Sequence, residues 1–194
     1  YRRYFQDYFF PFETDSEDTK NFYNSIAEKY ESFVPHQKEV GGVLIKLFKD
    51  LNIKKDAKIL DIGAGTGIVT EELASQGFTK LTLLDISKEE LNIAKSKELL
   101  KNAKFIEADL TKYKIREKYD VIFETLAFNE LIEKNILIIL KNIRDSLEEK
   151  GIFIMIDRHI FPELNSFFKE IKNGKFALKT PEGVFDFYFY IGKN

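Results

Sequence analysis

An α/β fold, a doubly wound and mostly parallel sheet ending in an antiparallel hairpin, follows from three features of this sequence. From Ala57 onward, short apolar runs alternate with longer amphipathic ones. The short runs are apolar on both faces, as strands are when helices cover a parallel sheet on each side. The rhythm then breaks at the C-terminus, where "KFALKT" and "VFDFYFYIGK" flank the turn "PEG". Two strands joined by so short a turn pair antiparallel. Counted along the chain, the runs make a seven-stranded sheet.

The chain opens on an aromatic arm (Tyr1, Tyr4, Phe5, Tyr8, Phe9, Phe10, Phe12) that is too apolar for a solvated tail, so packing is its expected role. Two helices are expected at about 16–33 and 36–51, the second starting at His36, which should cap it or lie on the surface. "AKILDI" (57–62) is the first strand, and Gly67 to Gln76 a helix closed by Gly77. "KLTLLDI" (80–86) is the second strand. "SKEELNIAKSKELLKN" is a helix with Ser87 as N-cap and Glu90 three residues on, the two forming a capping box. "AKFIEADL" (103–110) and "YDVIFETL" (119–126) are the third and fourth strands. A helix over about 130–148 lines one face with Leu131, Ile132, Ile136, Ile139, Leu140, Ile143 and Leu147. "GIFIMID" (151–157) is the fifth strand, and a short helix at about 162–172 leads to the hairpin. With no repeat, Pro- or Ser-rich linker or low-complexity tract, one domain spans 1–194. Residues 1–54 supply the arm and helices as a lid, and residues 55–194 the ligand-binding core.

Composition narrows the function. A chain of 194 residues buries a real core. No apolar run is long enough to span a bilayer, and the opening "YRRYFQDYFF" has no signal-peptide pattern. The absence of Cys removes disulfides, thiolate metal sites and a cysteine nucleophile, and it fits a cytoplasmic protein with no metal. Thirty basic against 32 acidic residues leave a net charge of −2, without the basic excess of a nucleic-acid binder.

The first strand runs into Gly63, Gly65 and Gly67, and the helix start beyond them offers unpaired N–H groups. In an open parallel sheet that junction lies at the ligand-binding crevice. The spacing is G-x-G-x-G, with Ile68 where a dinucleotide-binding turn would place its third glycine. Carboxylates discriminate further. Asp85 closes the second strand, 18 residues after Gly67, where it can take both hydroxyls of a ribose. Asp109 ends the third strand at a place suited to an adenine amino group. Asp61 would repel a pyrophosphate but suits an ammonium or sulfonium. An adenosine with a cationic amino-acid tail, S-adenosylmethionine, meets all three requirements.

At these motifs the chain resembles the class I S-adenosylmethionine-dependent methyltransferases, which have a Rossmann-like fold. "ILDIGAGTG" is similar to the family's glycine motif, "LLDIS" to its acidic ribose motif and "FIEADL" to its adenine motif. "YDVIFETLAFNEL" and "LEEKGIFIMID" resemble the fourth- and fifth-strand motifs, and the hairpin resembles the antiparallel seventh strand. The match covers about 55–193. "FYNSIAEKYESF" (22–33) further resembles the helix ahead of the glycine motif in small-molecule members such as the quinone-biosynthesis enzymes. The resemblance implies that Asp61, Gly63, Ala64, Gly65, Thr66 and Gly67 line the methionyl and ribose part of the cofactor. Asp85 and Ile86 would hold the ribose and cover the adenine, and Asp109 with Leu110 would frame its edge. Glu124 and Thr125 would meet the methionyl group and face the acceptor, while Tyr23 and Tyr30 would close over the cofactor.

Two departures stand out. Phe128 and Asn129 replace a histidine pair that many relatives carry after strand four, and Glu149-Lys150-Gly151 replaces a Lys-Pro-Gly-Gly turn. His159, leaving strand five on the ligand edge, is a candidate base for a hydroxyl or amine acceptor, and Glu124 a second catalytic candidate. Methyl transfer from a sulfonium is an in-line displacement onto O, N or C that positioning alone can accelerate. The acceptor pocket is expected from the N-terminal helices and the loops 110–118 and 157–165, sized for a small, partly apolar phenol, quinol, amine or carboxylate. Without a cysteine or a Pro-Pro-aromatic turn after strand four, cytosine-C5 and adenine-N6 acceptors are disfavoured. Two alternatives stay open, a non-catalytic S-adenosylmethionine-binding regulatory or partner module and an NAD-dependent oxidoreductase. The oligomeric state is open too, a homodimer among the options.

Overall fold

The computed structural model describes residues 16–128, 133–180 and 183–194; the aromatic arm, Asn129, Leu131, Ile132 and the Pro181–Glu182 part of the turn lie outside them. Two helices, α1 (Ser16–Phe33) and α2 (Gln37–Asp50), precede β1 (Lys58–Ile62). Then come α3 (Ile68–Ser75), β2 (Lys80–Asp85), α4 (Lys88–Ser96), β3 (Lys104–Glu107) and β4 (Tyr119–Thr125). The chain continues through α5 (Glu133–Ser146), β5 (Leu147–Asp157), α6 (Leu164–Phe167), β6 (Lys169–Thr180) and β7 (Gly183–Lys193). The seven strands form one sheet in the order β3-β2-β1-β4-β5-β7-β6. β1 to β5 are parallel neighbours, and β7 pairs antiparallel with both β5 and β6.

Strand alternation sends side chains to two cores. Ile59, Leu83, Val121, Phe123, Ile154 and Ile156 pack with Val40, Leu44 and Phe48 of α2 and Leu73 of α3. Leu60, Ile62, Leu84, Ile122, Phe153 and Met155 pack on the other face with Ile136, Ile139, Leu140 and Ile143 of α5. These four belong to the stripe the periodicity predicts; Leu147 of that stripe starts β5 instead, and Leu131 and Ile132 lie outside the described residues. Burying each such side chain is worth about 1.5–3 kcal/mol.

Four elements depart most from expectation. β3 stops at Glu107, so Asp109 and Leu110 lie in the loop beyond it rather than at the strand's end. The helix beginning at Lys88 stops at Ser96, because Lys97 turns extended and the following 3₁₀ turn, Glu98–Leu100, brings Leu100 into full burial. β5 begins at Leu147 rather than Gly151: Leu147 is buried and pairs with Tyr119, and a register shift absorbs the Glu149-Lys150-Gly151 turn. The helix expected at 162–172 shrinks to the four residues of α6. Its second half is strand, since β7 pairs along nearly its whole length with β6, Lys193 opposite Lys169. His36 neither caps nor faces solvent. It makes no side-chain capping bond and is buried near Phe187, ring centroids 6.0 Å apart.

Candidate active site

The strand order reverses between β1 and β4, and a crevice opens there beyond the carboxyl ends of the parallel strands. It is a cavity of about 420 Å³. Its floor comes from the ends of β1 (Ile62, Gly63, Gly65), β2 (Leu84, Asp85, Ile86), β3 (Ala108 to Lys112) and β4 (Thr125 to Phe128). Its roof is α1, through Ser16, Glu17, Thr19, Tyr23 and Tyr30, and its far corner is Asn135 of α5.

The glycine turn works by two different means. Gly63, Gly65 and Gly67 all have positive φ, of 68°, 51° and 75°, which side-chain-bearing residues rarely adopt. At Gly63 a Cβ would also lie 2.4 Å from Ala127 Cβ, so the missing side chain lets the β4 loop close onto the turn. Gly65 faces the cavity, bare backbone between Glu90 and Tyr30. The turn is tied to β2 by Gly63 and Ala64 N–H groups donating to the Leu84 carbonyl at 2.8 and 3.1 Å.

Asp85 is buried at the end of β2 and held from both sides. Gly65 N–H donates to Oδ2 at 2.8 Å and Ser87 N–H to Oδ1 at 2.7 Å. Burial pushes this carboxyl above its ordinary range, and the N–H donors oppose that shift. Each oxygen keeps a lone pair for a further donor. Asp109 also lines the cavity, but much of its side chain is spent on its own loop. Oδ1 accepts from Thr111 N–H at 2.9 Å and Thr111 Oγ1–H at 2.6 Å, and Lys112 Nζ lies 2.9 Å from Oδ2. Burial raises Asp109, yet the hydrogen bonds from Thr111, Lys112 and Ser16 outweigh it and leave it below the usual carboxylate range.

Of the other residues expected at the cofactor, Tyr23, Tyr30, Gly63, Gly65, Ile86, Leu110 and Thr125 line the cavity; Asp61, Ala64, Thr66, Gly67 and Glu124 do not. Asp61 is buried with Thr70 Oγ1 donating to its Oδ2, while Oδ1 has no hydrogen-bond partner among the described residues. Burial, with Asp85 nearby, pushes it up to about 8 despite the Thr70 bond. Glu124 is wholly buried beside Asp157, and its Oε2 accepts from Ala127 N–H at 3.0 Å. Burial first, and the charge of Asp157 second, hold it well above the carboxylate range. It therefore shapes the Leu126-Ala127-Phe128 loop from behind. Leu126 adopts a positive φ of 61° in that loop and itself lines the cavity.

His159 is exposed in the loop after β5, its ring centroid 4.6 Å from that of Phe161, and it is not on the cavity wall. Of the segments expected to build the acceptor pocket, α1 and residues 110–112 of the 110–118 loop line this cavity, whereas α2 and the 157–165 loop do not. Phe128 replaces polarity with an apolar wall, buried against Phe153 and Phe161.

Several wall residues escape sequence reasoning, among them Glu17, Lys112, Asn135 and, most buried, Glu90. The capping box is only half formed: Ser87 Oγ accepts from Glu90 N–H at 3.2 Å, but Ser87 N–H goes to Asp85 and leaves the Glu90 carboxyl free of that duty. That carboxyl turns into the cavity wall, 2% exposed. Glu90, Leu91 and Ala94 share the buried face of α4, and this spacing was the available signal. Ser87 Oγ–H in turn donates to Asn24 Oδ1 at 2.9 Å, latching α1 to the core. Among the described residues, no group of three or more His, Cys, Asp or Glu could hold a metal ion, and no helix is long and apolar enough to cross a membrane.

Comparison with known proteins gives this geometry a context. Residues 53–186 match a family described as a methyltransferase domain. A malonyl-[acyl-carrier protein] O-methyltransferase of Bacillus cereus is 30% identical over 155 residues, which are 77% of this chain and 56% of that protein. The chain thus spans little more than half the length of such curated relatives. An uncharacterized methyltransferase of the same species is 30% identical over 159 residues, 79% of this chain and 73% of its own. Among solved structures, the fold is similar to magnesium protoporphyrin IX methyltransferase of Synechocystis with bound S-adenosylhomocysteine. The TM-score is 0.76 at 10% identity, over 93% of this chain and all of that one. The NodS N-methyltransferase of Bradyrhizobium japonicum superposes with a TM-score of 0.75 at 14% identity, over 93% of this chain and 99% of that one.

Proposed function

Because the chain belongs to the methyltransferase-domain family, we propose that it transfers a methyl group from S-adenosylmethionine to an O, N or C nucleophile of a small molecule. The observation that carries this reading is Asp85, a buried carboxylate on the cavity wall at the tip of β2, pinned by the N–H groups of Gly65 and Ser87. Its spare lone pairs suit the two hydroxyls of a ribose. The bare backbone of Gly65 beside it leaves room that a Cβ would fill, and Ile86, Ala108 and Leu110 offer apolar surface for a purine. The residues present therefore fit the cofactor.

In this reading Asp85 and Ile86 hold the nucleoside, Asp109 and Leu110 frame its base, and Gly63, Gly65 and Thr125 flank its tail. Ala64, Thr66 and Gly67 shape the turn rather than touch the ligand, and Asp61 and Glu124 act from behind the wall. S-adenosylmethionine, when bound, supplies an activated methyl group on sulfur. Tyr23 and Tyr30, their rings 6.0 Å apart edge to face, roof the cavity and keep water out. Leu126 and Phe128 give the acceptor end an apolar lining, with Asn135 as a polar handle. Such a wall orients a nucleophile rather than deprotonating it, so positioning supplies most of the acceleration. α1 serves as the lid over the cofactor-binding core at 55–194 of one domain, while α2 packs into that core rather than over the cavity. The cysteine-free composition supports a cytoplasmic setting.

Incubation with methyl-labelled S-adenosylmethionine and a panel of phenols, quinols, amines and carboxylates, acyl-carrier thioesters included, tests the activity. Label in an acceptor, with S-adenosylhomocysteine formed in equal amount, is the expected result. Tight binding of S-adenosylhomocysteine without label transfer to any acceptor would favour a non-catalytic binding module instead.

A further inference from the structure

Glu90 has a feature that the methyl-transfer reading leaves unused. Its carboxyl is 2% exposed and belongs to the cavity wall, yet Oε1 has no hydrogen-bond partner among the described residues. Its Oε2 lies 3.3 Å from the position a Cβ on Gly65 would take, directly beside the turn whose N–H grips Asp85. A buried polar atom left unpaired is costly, and a ligand atom is one thing that can satisfy it.

The polarity of the neighbours decides what that atom is. Asp85 offers only acceptors to a ligand, and the Gly65 and Ser87 N–H groups beside it are already used on its two oxygens. A vicinal diol that gives both protons to Asp85 still has hydroxyl oxygens in need of a donor. Lys97, the cation closing α4, is committed to Glu31 and Glu71 at 2.8 and 3.1 Å. The other ionisable groups around the same cavity are Asp85 at the end of β2, Glu17, Tyr23 and Tyr30 of α1, and Asp109 and Lys112 in the loop after β3. We propose that Glu90 is a second ribose-recognising residue, whose protonated carboxyl donates a hydrogen bond to a hydroxyl oxygen that itself donates to Asp85. The assignment rests on S-adenosylmethionine being the ligand. Burial, reinforced by the charge of Asp85, pushes Glu90 up to about 9, so the donor form prevails at neutral pH.

The test is a calorimetric titration of the full chain with S-adenosylhomocysteine and its 2′-deoxy and 3′-deoxy nucleoside analogues, for wild type, Glu90→Gln and Glu90→Ala. Glu90→Gln keeps a donor and should bind within about threefold of wild type, whereas Glu90→Ala should bind about tenfold more weakly, the worth of one buried hydrogen bond. Removing the contacted hydroxyl should cost wild type more than Glu90→Ala, a coupling that a merely structural role would not produce. Between pH 7 and 10 affinity should fall for wild type but hold for Glu90→Gln, which controls for the other titrating groups. Unchanged affinity in Glu90→Ala, or a Glu90→Gln as weak as Glu90→Ala, overturns the donor role while leaving the cofactor reading intact. A wild type that does not bind S-adenosylhomocysteine overturns the cofactor reading, and the proposal with it.

Discussion

Asp85 and His159 show how little residue type alone decides. Both leave a strand at the ligand edge, but one is buried between two N–H donors on the cavity wall and the other is exposed beside Phe161. Replacing Asp85 by Asn sets an amide NH₂ against one of the two N–H groups it now accepts, Gly65 or Ser87. Leaving a buried donor unmet costs about 1–3 kcal/mol, so Asp85→Asn should lower stability to denaturant by that amount. A midpoint equal to wild type would mean that the two N–H bonds contribute nothing. His159→Gln should keep kcat within about twofold, since general-base catalysis lost from the chemistry typically costs a hundredfold or more. A loss on that scale would return His159 to the mechanism. The place of Asp85 on the cavity wall was legible because strand-end acids after a glycine turn have few other uses. The place of Glu90 on the cavity wall was hidden because a Ser at N-cap and a Glu three residues later also spell a capping box. Only the competing claim of Asp85 on the Ser87 N–H frees the Glu90 carboxyl.

At the scale of elements, α1 has a docking problem. Ala27 is the one fully buried side chain of its 18 residues among those described, so apolar packing holds it weakly. Polar contacts hold it instead. Asn24 Oδ1 accepts from Ser87 Oγ–H at 2.9 Å and from Glu89 N–H at 3.2 Å, and Lys20 pairs with Glu107 at 3.0 Å. An exposed pair such as Lys20–Glu107 adds little, so the Asn24 latch, with the less exposed Glu31–Lys97 pair at 2.8 Å, should carry most of the docking. Asn24→Ala should accelerate amide exchange across residues 16–33 several-fold while β1 to β5 stay protected, measurable by hydrogen–deuterium exchange. Equal exchange in the variant would show that the helix docks by other means. The sequence makes α1 readable as a helix but not its partner, because a latch across 63 residues leaves no periodic trace. The boundary errors have the same origin. "LNSFFKEIKN" can be read at helical or strand spacing, and only the length of β7 assigns its second half to β6.

Over the whole molecule, two cores on opposite faces of one sheet carry the stability, and both were visible as alternating strands and the stripe along α5. Ile139 is fully buried in the second core, and Ile139→Ala should cost about 2–5 kcal/mol by urea denaturation without moving the cavity. Acids buried near the cavity set the pH response. Asp61 is pushed up to about 8 and Glu90 to about 9, so the folded chain keeps two protons that the unfolded chain releases near pH 4. Their contribution to stability is fully present below the unfolded values and drains away as pH rises towards 8 and 9. Wild type should therefore melt at progressively lower temperature from pH 5 to 9, and Glu90→Gln should flatten that slope; a slope unchanged in the variant would contradict the assignment.

The wall around Asp85 should hold the ribose of an S-adenosyl ligand. Isothermal titration of S-adenosylhomocysteine into wild type and Asp85→Ala, with NAD alongside, measures it directly. Wild type should bind S-adenosylhomocysteine saturably and NAD not at all, and a folded Asp85→Ala should bind at least about tenfold more weakly, as loss of hydrogen bonds to a charged group requires. Equal affinity in the two proteins, or a preference for NAD, would contradict it.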